Sequence, residues 1–108
     1  MWVRSAIWMG QIRSGEEERF RGAIDGDLVP ILLGLPGVRG TRVLWPRRPE
    51  PGAPNIACQM LVEFDDQKGL DAMLASDGRQ RLRTRVKEIA ALFDGEMKHI
   101  DYEVGTAA

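Results

Sequence analysis

The chain has 108 residues, with 15 basic and 16 acidic side chains and a formal net charge of -1. Because the charges balance, no long-range field would attract a phosphate backbone or an anionic lipid surface, which argues against nucleic acid and membranes as partners. Hydrophobic residues make up 44% of the chain, which is enough for one compact core. The composition therefore predicts a single domain over residues 1–108.

Cysteine usage and hydropathy indicate a cytoplasmic protein. The only cysteine, Cys58, lies in an apolar run, so a buried thiol in a reducing compartment is expected. Arg4 interrupts the one early apolar run, and no secretion signal is visible. The longest uncharged apolar segment, residues 28–38, contains prolines and glycines and is shorter than the roughly 20 residues that cross a bilayer.

The first third of the chain predicts a strand followed by a helix. Residues 2–9 are rich in aromatic and β-branched side chains, and the strand could extend to Ile12. Ser14 and Glu17 have the spacing of a capping box that begins a helix, which Gly34 would end. Pro30 predicts a kink or an early end near Val29. The apolar stripe of this helix has steps of four and three residues and consists of Phe20, Ile24, Leu28, Ile31 and Leu35.

The middle of the chain predicts two strands joined by a long loop. Residues 38–45 form the second strand, and residues 56–64 form the third, in which apolar side chains alternate strictly. Between them, residues 46–55 contain four of the six prolines together with Arg47 and Arg48. This connection is expected to be extended and exposed.

The last third predicts a broken helix and a final strand. Asp65 or Asp66 would cap a short helix, residues 76–78 would break it, and a longer helix would stop at Asp94-Gly95. Residues 97–104 form the last strand. The inner face of the longer helix consists of Leu82, Val86, Ile89 and Phe93. The alternating arginines of this helix are expected to form a solvated surface; they are Arg79, Arg81, Arg83 and Arg85.

This β-α-β-β-α-β order predicts a ferredoxin-like α+β fold, in which both helices cover one face of a four-stranded antiparallel sheet. We expect Val3, Ile7 and Met9 to face the helices. The open face would then carry Trp2, Arg4, Ala6 and Trp8 with Ala57, Gln59, Leu61 and Glu63 of the third strand. Two exposed tryptophans would favour a homodimer that stacks sheet on sheet around a cavity.

The sequence resembles the EthD-like family of the dimeric α/β-barrel superfamily over almost its whole length. The matching residues are Pro30 with 35–38, then 74–78, then 93–95. The resemblance implies a dimer with a ligand cavity between the sheets, and relatives in the superfamily include cofactor-free monooxygenases and isomerases. Where EthD-like sequences often have His, any residue and Pro in the first helix, this chain has Leu28-Val29-Pro30, so a helix-borne histidine is missing.

His99 is the only histidine and shares one face of the last strand with Asp101 and Glu103. Beside the first strand it would lie near Arg4, Ala6 or Trp8, so His99 is the candidate general base and Asp101 its candidate carboxylate partner. No cofactor is expected, and the sequence lacks the ligand spacing of a metal site. The candidate ligand pocket consists of Arg4, Trp8, Gln59 and Leu61.

Two functions follow from these patterns. In the first, the chain binds a small apolar or aromatic metabolite and acts on it as a cofactor-free oxidoreductase or isomerase. In the second, the chain is a non-catalytic accessory or structural dimer of a catabolic or biosynthetic pathway.

Overall fold

The computed structural model describes residues 1–108 and confirms the ferredoxin-like fold. Four strands form one antiparallel sheet in the order β2-β3-β1-β4, so β1 and β3 are central and β2 and β4 are edges. The helices follow β1 and β3 and pack on one face of the sheet. The strands are β1 (Trp2–Ile12), β2 (Val38–Leu44), β3 (Ile56–Phe64) and β4 (Phe93–Glu103); the helices are α1 (Glu17–Ala23), a π-helical turn (Ile24–Leu28), α2 (Val29–Leu33), α3 (Gln67–Leu74) and α4 (Gly78–Ala90).

The face assignment expected for β1 is wrong. Trp8 pairs with Cys58 and Ala6 pairs with Met60, and directly paired residues of an antiparallel ladder lie on the same face. Cys58, Met60 and Trp8 are all buried. Trp2, Arg4, Ala6 and Trp8 therefore face the helices, whereas Val3, Ile7 and Met9 lie on the open face.

An aromatic cluster explains this orientation of β1. The Trp8 ring lies edge-on to Phe20 of α1 at 5.3 Å and to Phe93 of β4 at 5.4 Å, measured between ring centroids. Phe20 and Phe93 stack at 5.6 Å. A side chain as large as tryptophan removes more apolar surface from water beneath the helices than Val3 or Ile7 would, so the face that carries Trp8 is buried.

The π-helical turn accommodates Pro30. The Val29 N–H donates to the carbonyl oxygen of Ile24, five residues back. The extra residue in this turn allows the chain to pass Pro30 as a helix that ends only at Leu33. The extra residue also rotates the following turn about the helix axis. Leu32 is therefore the buried side chain of this turn, whereas the sequence predicted that Ile31 would be buried.

Other helix boundaries differ from the expected ones in detail. The Ser14–Glu17 capping box does not form, because α1 begins at Glu17 and its N-cap, Glu16, makes no side-chain cap. The sequence predicted either Asp65 or Asp66 as the cap of α3. The cap is Asp66, whose carboxylate accepts a hydrogen bond from the backbone N–H of Gly69. Phe93 belongs to β4 rather than to the last helix, since α4 ends at Ala90. None of the helices combines the length and the apolar composition of a membrane-spanning segment.

The orientation of β1 can be tested with two substitutions on this strand. Trp8→Ala removes a side chain that is 1% exposed and should lower the free energy of unfolding by about 3 to 5 kcal/mol. Gln11→Ala, at an exposed position on the opposite face of the same strand, should cost less than about 1 kcal/mol. Urea unfolding at matched protein concentration measures both; similar losses for the two variants would contradict the assignment.

Candidate functional site

A cavity of about 790 Å³ lies between the sheet and the helices. Its floor is formed by the even-numbered face of β1 with the neighbouring strands, and its roof by side chains from the helices. The floor residues are Ala6, Trp8, Met60, Val62 and Met97, and the apolar roof residues are Leu28, Leu32, Met73, Leu82 and Val86. This volume is within the usual range for small-molecule sites.

The helix α4 fully buries its apolar stripe only near its C-terminal end. Ile89 is fully buried, whereas Leu82 and Val86 of the same apolar stripe are only half-buried. A helix whose stripe met the sheet along its full length would bury all three side chains. The second and third turns of α4 therefore leave apolar surface that faces the cavity.

Polar side chains lie at one end of this apolar space. His99 on β4 pairs with Ala6 in the strand register, and Arg4 lies two residues along β1. One guanidinium nitrogen of Arg4, Nη1, donates to both carboxylate oxygens of Asp101, at 2.9 and 3.0 Å. His99 and Arg4 line the cavity, and Asp101 holds the guanidinium in place.

The His99 imidazole is neutral at physiological pH. Desolvation within the concave wall and the positive charges of Arg4 and Arg79 lower its pKa to about 4, although Asp101 opposes this shift. The residue keeps an exposed surface towards the opening, so it is accessible as well as uncharged. A neutral, accessible imidazole can accept a proton from a bound molecule.

The candidate residues from the sequence separate into two groups. Arg4, Trp8 and His99 line the cavity together. Gln59 and Leu61 lie on the open face of the sheet, where the amide Nε2 of Gln59 donates to the hydroxyl oxygen of Ser5 at 2.8 Å. The expected proximity of His99 to Arg4, Ala6 and Trp8 is found, but the cavity is beneath the helices and not on the open face.

The sequence interpretation missed a row of cations on α4. Arg79, Arg83 and Lys87 are spaced by four residues, lie on one side of the helix and line the cavity. The row is interrupted in the sequence by Arg81 and Arg85, which lie along a different groove. The signal that could have found the row is its four-residue period beside the apolar pair Leu82 and Val86.

Two further polar groups near the core have defined states. Burial, followed by the nearby Asp25 carboxylate, raises the pKa of the Cys58 thiol to about 12, so this thiol stays protonated and is a poor nucleophile. The indole Nε1 of Trp8 is buried without a hydrogen-bond acceptor. No three His, Cys, Asp or Glu side chains come together in a group that could hold a metal ion.

Comparison with known proteins supports the fold. No protein-family model matches the chain, and no curated protein matches it. Among solved structures, an ethyl tert-butyl ether D (EthD) family protein from Bacillus halodurans has a TM-score of 0.78 at 15% identity, covering 97% of this chain and 100% of that chain. SnoaB, a cofactor-independent oxygenase from Streptomyces nogalater, has a TM-score of 0.64 at 12% identity, covering 98% and 93%.

A third structure, an antibiotic biosynthesis monooxygenase, has a TM-score of 0.65 at 14% identity, covering 98% of this chain and 100% of that chain. The resemblance to EthD-like proteins predicted from the sequence is therefore confirmed at the level of the fold.

The protonation state of His99 can be measured directly, because His99 is the only histidine in the chain. Its imidazole resonances should titrate by NMR with a midpoint near 4. Arg4→Gln should raise that midpoint towards 6.5, because it removes a repulsive cation and leaves Asp101 without its partner. A wild-type midpoint of 6.5 or above would contradict the electrostatic description of the site.

The lowered pKa of His99 makes the free energy of unfolding depend on pH. The unfolded chain protonates His99 near pH 6.5, and the folded chain does so only near pH 4. The contribution of His99 to the free energy of unfolding is therefore constant above pH 6.5 and is lost as the pH falls from 6.5 to 4. The His99→Gln variant should lose less stability than the wild type over this window, as measured by chemical denaturation at each pH.

Proposed function

We propose that the cavity binds an apolar or aromatic metabolite and that His99 acts as the general base in its cofactor-free oxidation or isomerisation. The observation that carries this proposal is a neutral, accessible imidazole at the polar end of a largely apolar cavity. Such a site desolvates the reacting molecule and holds it against a group that accepts a proton at neutral pH.

The first step is the same for both reactions. His99 removes a proton from an acidic C–H next to a carbonyl, and the Arg4 guanidinium stabilises the negative charge that develops on the carbonyl oxygen. In an isomerisation, the imidazolium returns the proton at another carbon. In an oxidation, the carbanion adds to dissolved dioxygen and forms a C–O bond, and protonation by the imidazolium gives a hydroperoxide. Loss of the second proton from the same carbon, with cleavage of the O–O bond, then leaves a carbonyl and releases the outer oxygen atom as water.

Asp101 has a different role in this proposal from the one predicted from the sequence. Its carboxylate is engaged by Arg4, at 2.9 Å from Nη1, and no hydrogen bond joins it to His99. Asp101 is therefore proposed as a positioning residue that orients the guanidinium. The buried, unpaired Cys58 supports a reducing, cytoplasmic setting for this activity.

Binding can be tested with N-phenyl-1-naphthylamine, a neutral aromatic probe whose fluorescence rises in apolar sites. The wild type should bind it, and Ala6→Leu should abolish binding because the larger side chain fills the cavity floor. Ala72→Leu adds the same atoms at an exposed position of α3, outside the cavity, and should leave binding unchanged. Equal effects of the two variants would show that the probe binds elsewhere.

Turnover can be tested with anthrone, an aromatic ketone with an acidic methylene, by following dioxygen uptake and quinone formation. His99→Gln should reduce the rate by about 100-fold or more while the circular dichroism spectrum is retained. Binding of the aromatic probe without any turnover of anthrone or of related ketones would instead favour the alternative function, a non-catalytic accessory dimer.

We also propose a homodimer that forms through the open face of the sheet. The tryptophan argument for this dimer is wrong, since Trp2 and Trp8 face the helices. Other side chains support the proposal: Met9, Leu44, Ile100 and Tyr102 are all more than a third exposed, and the strand register places them on one face beside Val3, Ile7 and Leu61. These apolar side chains alternate with the polar Gln59, Glu63 and Lys98 on the same face, and so many exposed apolar side chains favour association with a second copy.

Sedimentation velocity tests the dimer. The wild type should sediment as a dimer at micromolar concentration, and Ile100→Asp should shift it to a monomer by placing an unpaired charge in the interface. Leu33→Asp, which makes the same kind of change at an exposed position on α2, should leave the dimer intact. A wild-type monomer would overturn this part of the proposal.

A further inference from the structure

We infer that the molecule held in the cavity is an organic anion, whose carboxylate or sulfonate lies at the cationic opening while its apolar body lies on the sheet. This inference rests on the proposed binding function and adds the chemical class of the ligand. It concerns the recognition of the ligand and is independent of whether His99 performs a reaction.

The charged residues that line the cavity all have the same sign. Four of the lining residues carry a positive charge and none carries a negative charge, although the whole chain has a net charge of -1. These four residues are Arg4 from β1 and Arg79, Arg83 and Lys87 from α4. Because acidic side chains slightly outnumber basic ones in the chain, a wall without carboxylates departs from its average composition.

Most of this positive charge has no carboxylate partner within the protein. Asp101 neutralises Arg4, and the Nη1 of Arg79 donates to the backbone carbonyl of Leu74 at 3.1 Å. Arg83 and Lys87 form neither a salt bridge nor a side-chain hydrogen bond, while Arg85 on the same helix is paired with both Asp27 and Glu88. On α4, three of the four cations without a carboxylate partner, Arg79, Arg83 and Lys87, therefore line the cavity, and the fourth, Arg81, lies along another groove.

The position of this row fits a molecule with two chemically different ends. Leu82 and Val86 are adjacent in sequence to Arg83 and Lys87, respectively, so one strip of the helix presents methyl groups to the cavity and the next presents cations at its opening. An anion bound there keeps its charge near solvent and near Arg83, and its apolar part displaces water from the half-buried stripe. The neutral His99 adds no charge that would oppose this orientation.

A matched pair of fluorescent probes tests the inference. 1-Anilinonaphthalene-8-sulfonate and N-phenyl-1-naphthylamine share the same aromatic body, and only the first carries a sulfonate. At low ionic strength the wild type should bind the sulfonate about fivefold more tightly than the neutral amine, and added salt should reduce this preference. Equal affinities of the two probes would overturn the inference.

Charge reversal locates the effect. Arg83→Glu should weaken sulfonate binding by about tenfold and leave the neutral amine within about twofold of the wild type. Arg81→Glu makes the same change in net charge on the same helix, but away from the cavity, and should alter neither probe. Equal losses in the two variants would mean that only the overall charge matters, which would also overturn the inference.

The two probes also distinguish a failure of the proposed binding function from a failure of the organic-anion inference. If neither probe binds, or if Ala6→Leu binds both as well as the wild type does, the cavity is not a binding site and the proposed function fails. If the neutral amine binds in the cavity and the sulfonate gains nothing from Arg83, only the assignment to an organic anion fails.

Discussion

The register of β1 between β3 and β4 is the constraint on which the candidate site depends. By pairing Ala6 with both Met60 and His99, it sets the even-numbered side chains of the central strand beneath the helices. Trp8 then packs against Phe20 and Phe93 and fixes one end of the layer between sheet and helices. A shift of one residue would turn Trp8 out to the open face and bring Ile7 inside, which would remove Arg4 from the cavity and leave His99 without its neighbours.

The same layer holds both a packed region and a cavity. The aromatic cluster and Ile89 close one end, and the gap between α4 and the sheet leaves Leu82 and Val86 half-buried at the other. Apolar surface that faces a cavity does not contribute the full stabilisation of burial. The packed region therefore carries more of the stability than the helix turns that shape the candidate site, an arrangement common where a fold keeps space for a ligand.

Much of the fold could be predicted from the sequence because it depends on periodicity. The strict alternation of β3 and the stripe on the first helix identified their elements within a few residues. The face of β1 could not be predicted in this way, because Trp2, Val3, Ile7, Trp8 and Met9 place apolar side chains on both sides of the strand. Only the contact of Trp8 with Phe20 and Phe93, which are distant in sequence, decides between the two orientations.

The candidate site was predictable only in part, for a related reason. Strand order placed His99 beside Ala6, so the association with Arg4 and Trp8 followed from topology. The prediction that Gln59 and Leu61 line the pocket depends on the face of β1 that carries Trp8 being open, whereas that face packs against the helices. The partner of Asp101 and the cavity itself depend on side-chain geometry and on the distance between α4 and the sheet, which no pattern in the sequence records.

The placement of His99 and Asp101 on β4 also bears on how such a protein can diversify. β4 is an edge strand, and only Phe93 among its eleven residues is fully buried. Replacing a largely exposed edge side chain usually alters folding free energy by only about 0.5 kcal/mol. On the cavity side of this strand, at His99 and Asp101, mutation can therefore sample new chemistry while the central pair, β1 and β3, retains the packing that keeps the molecule folded.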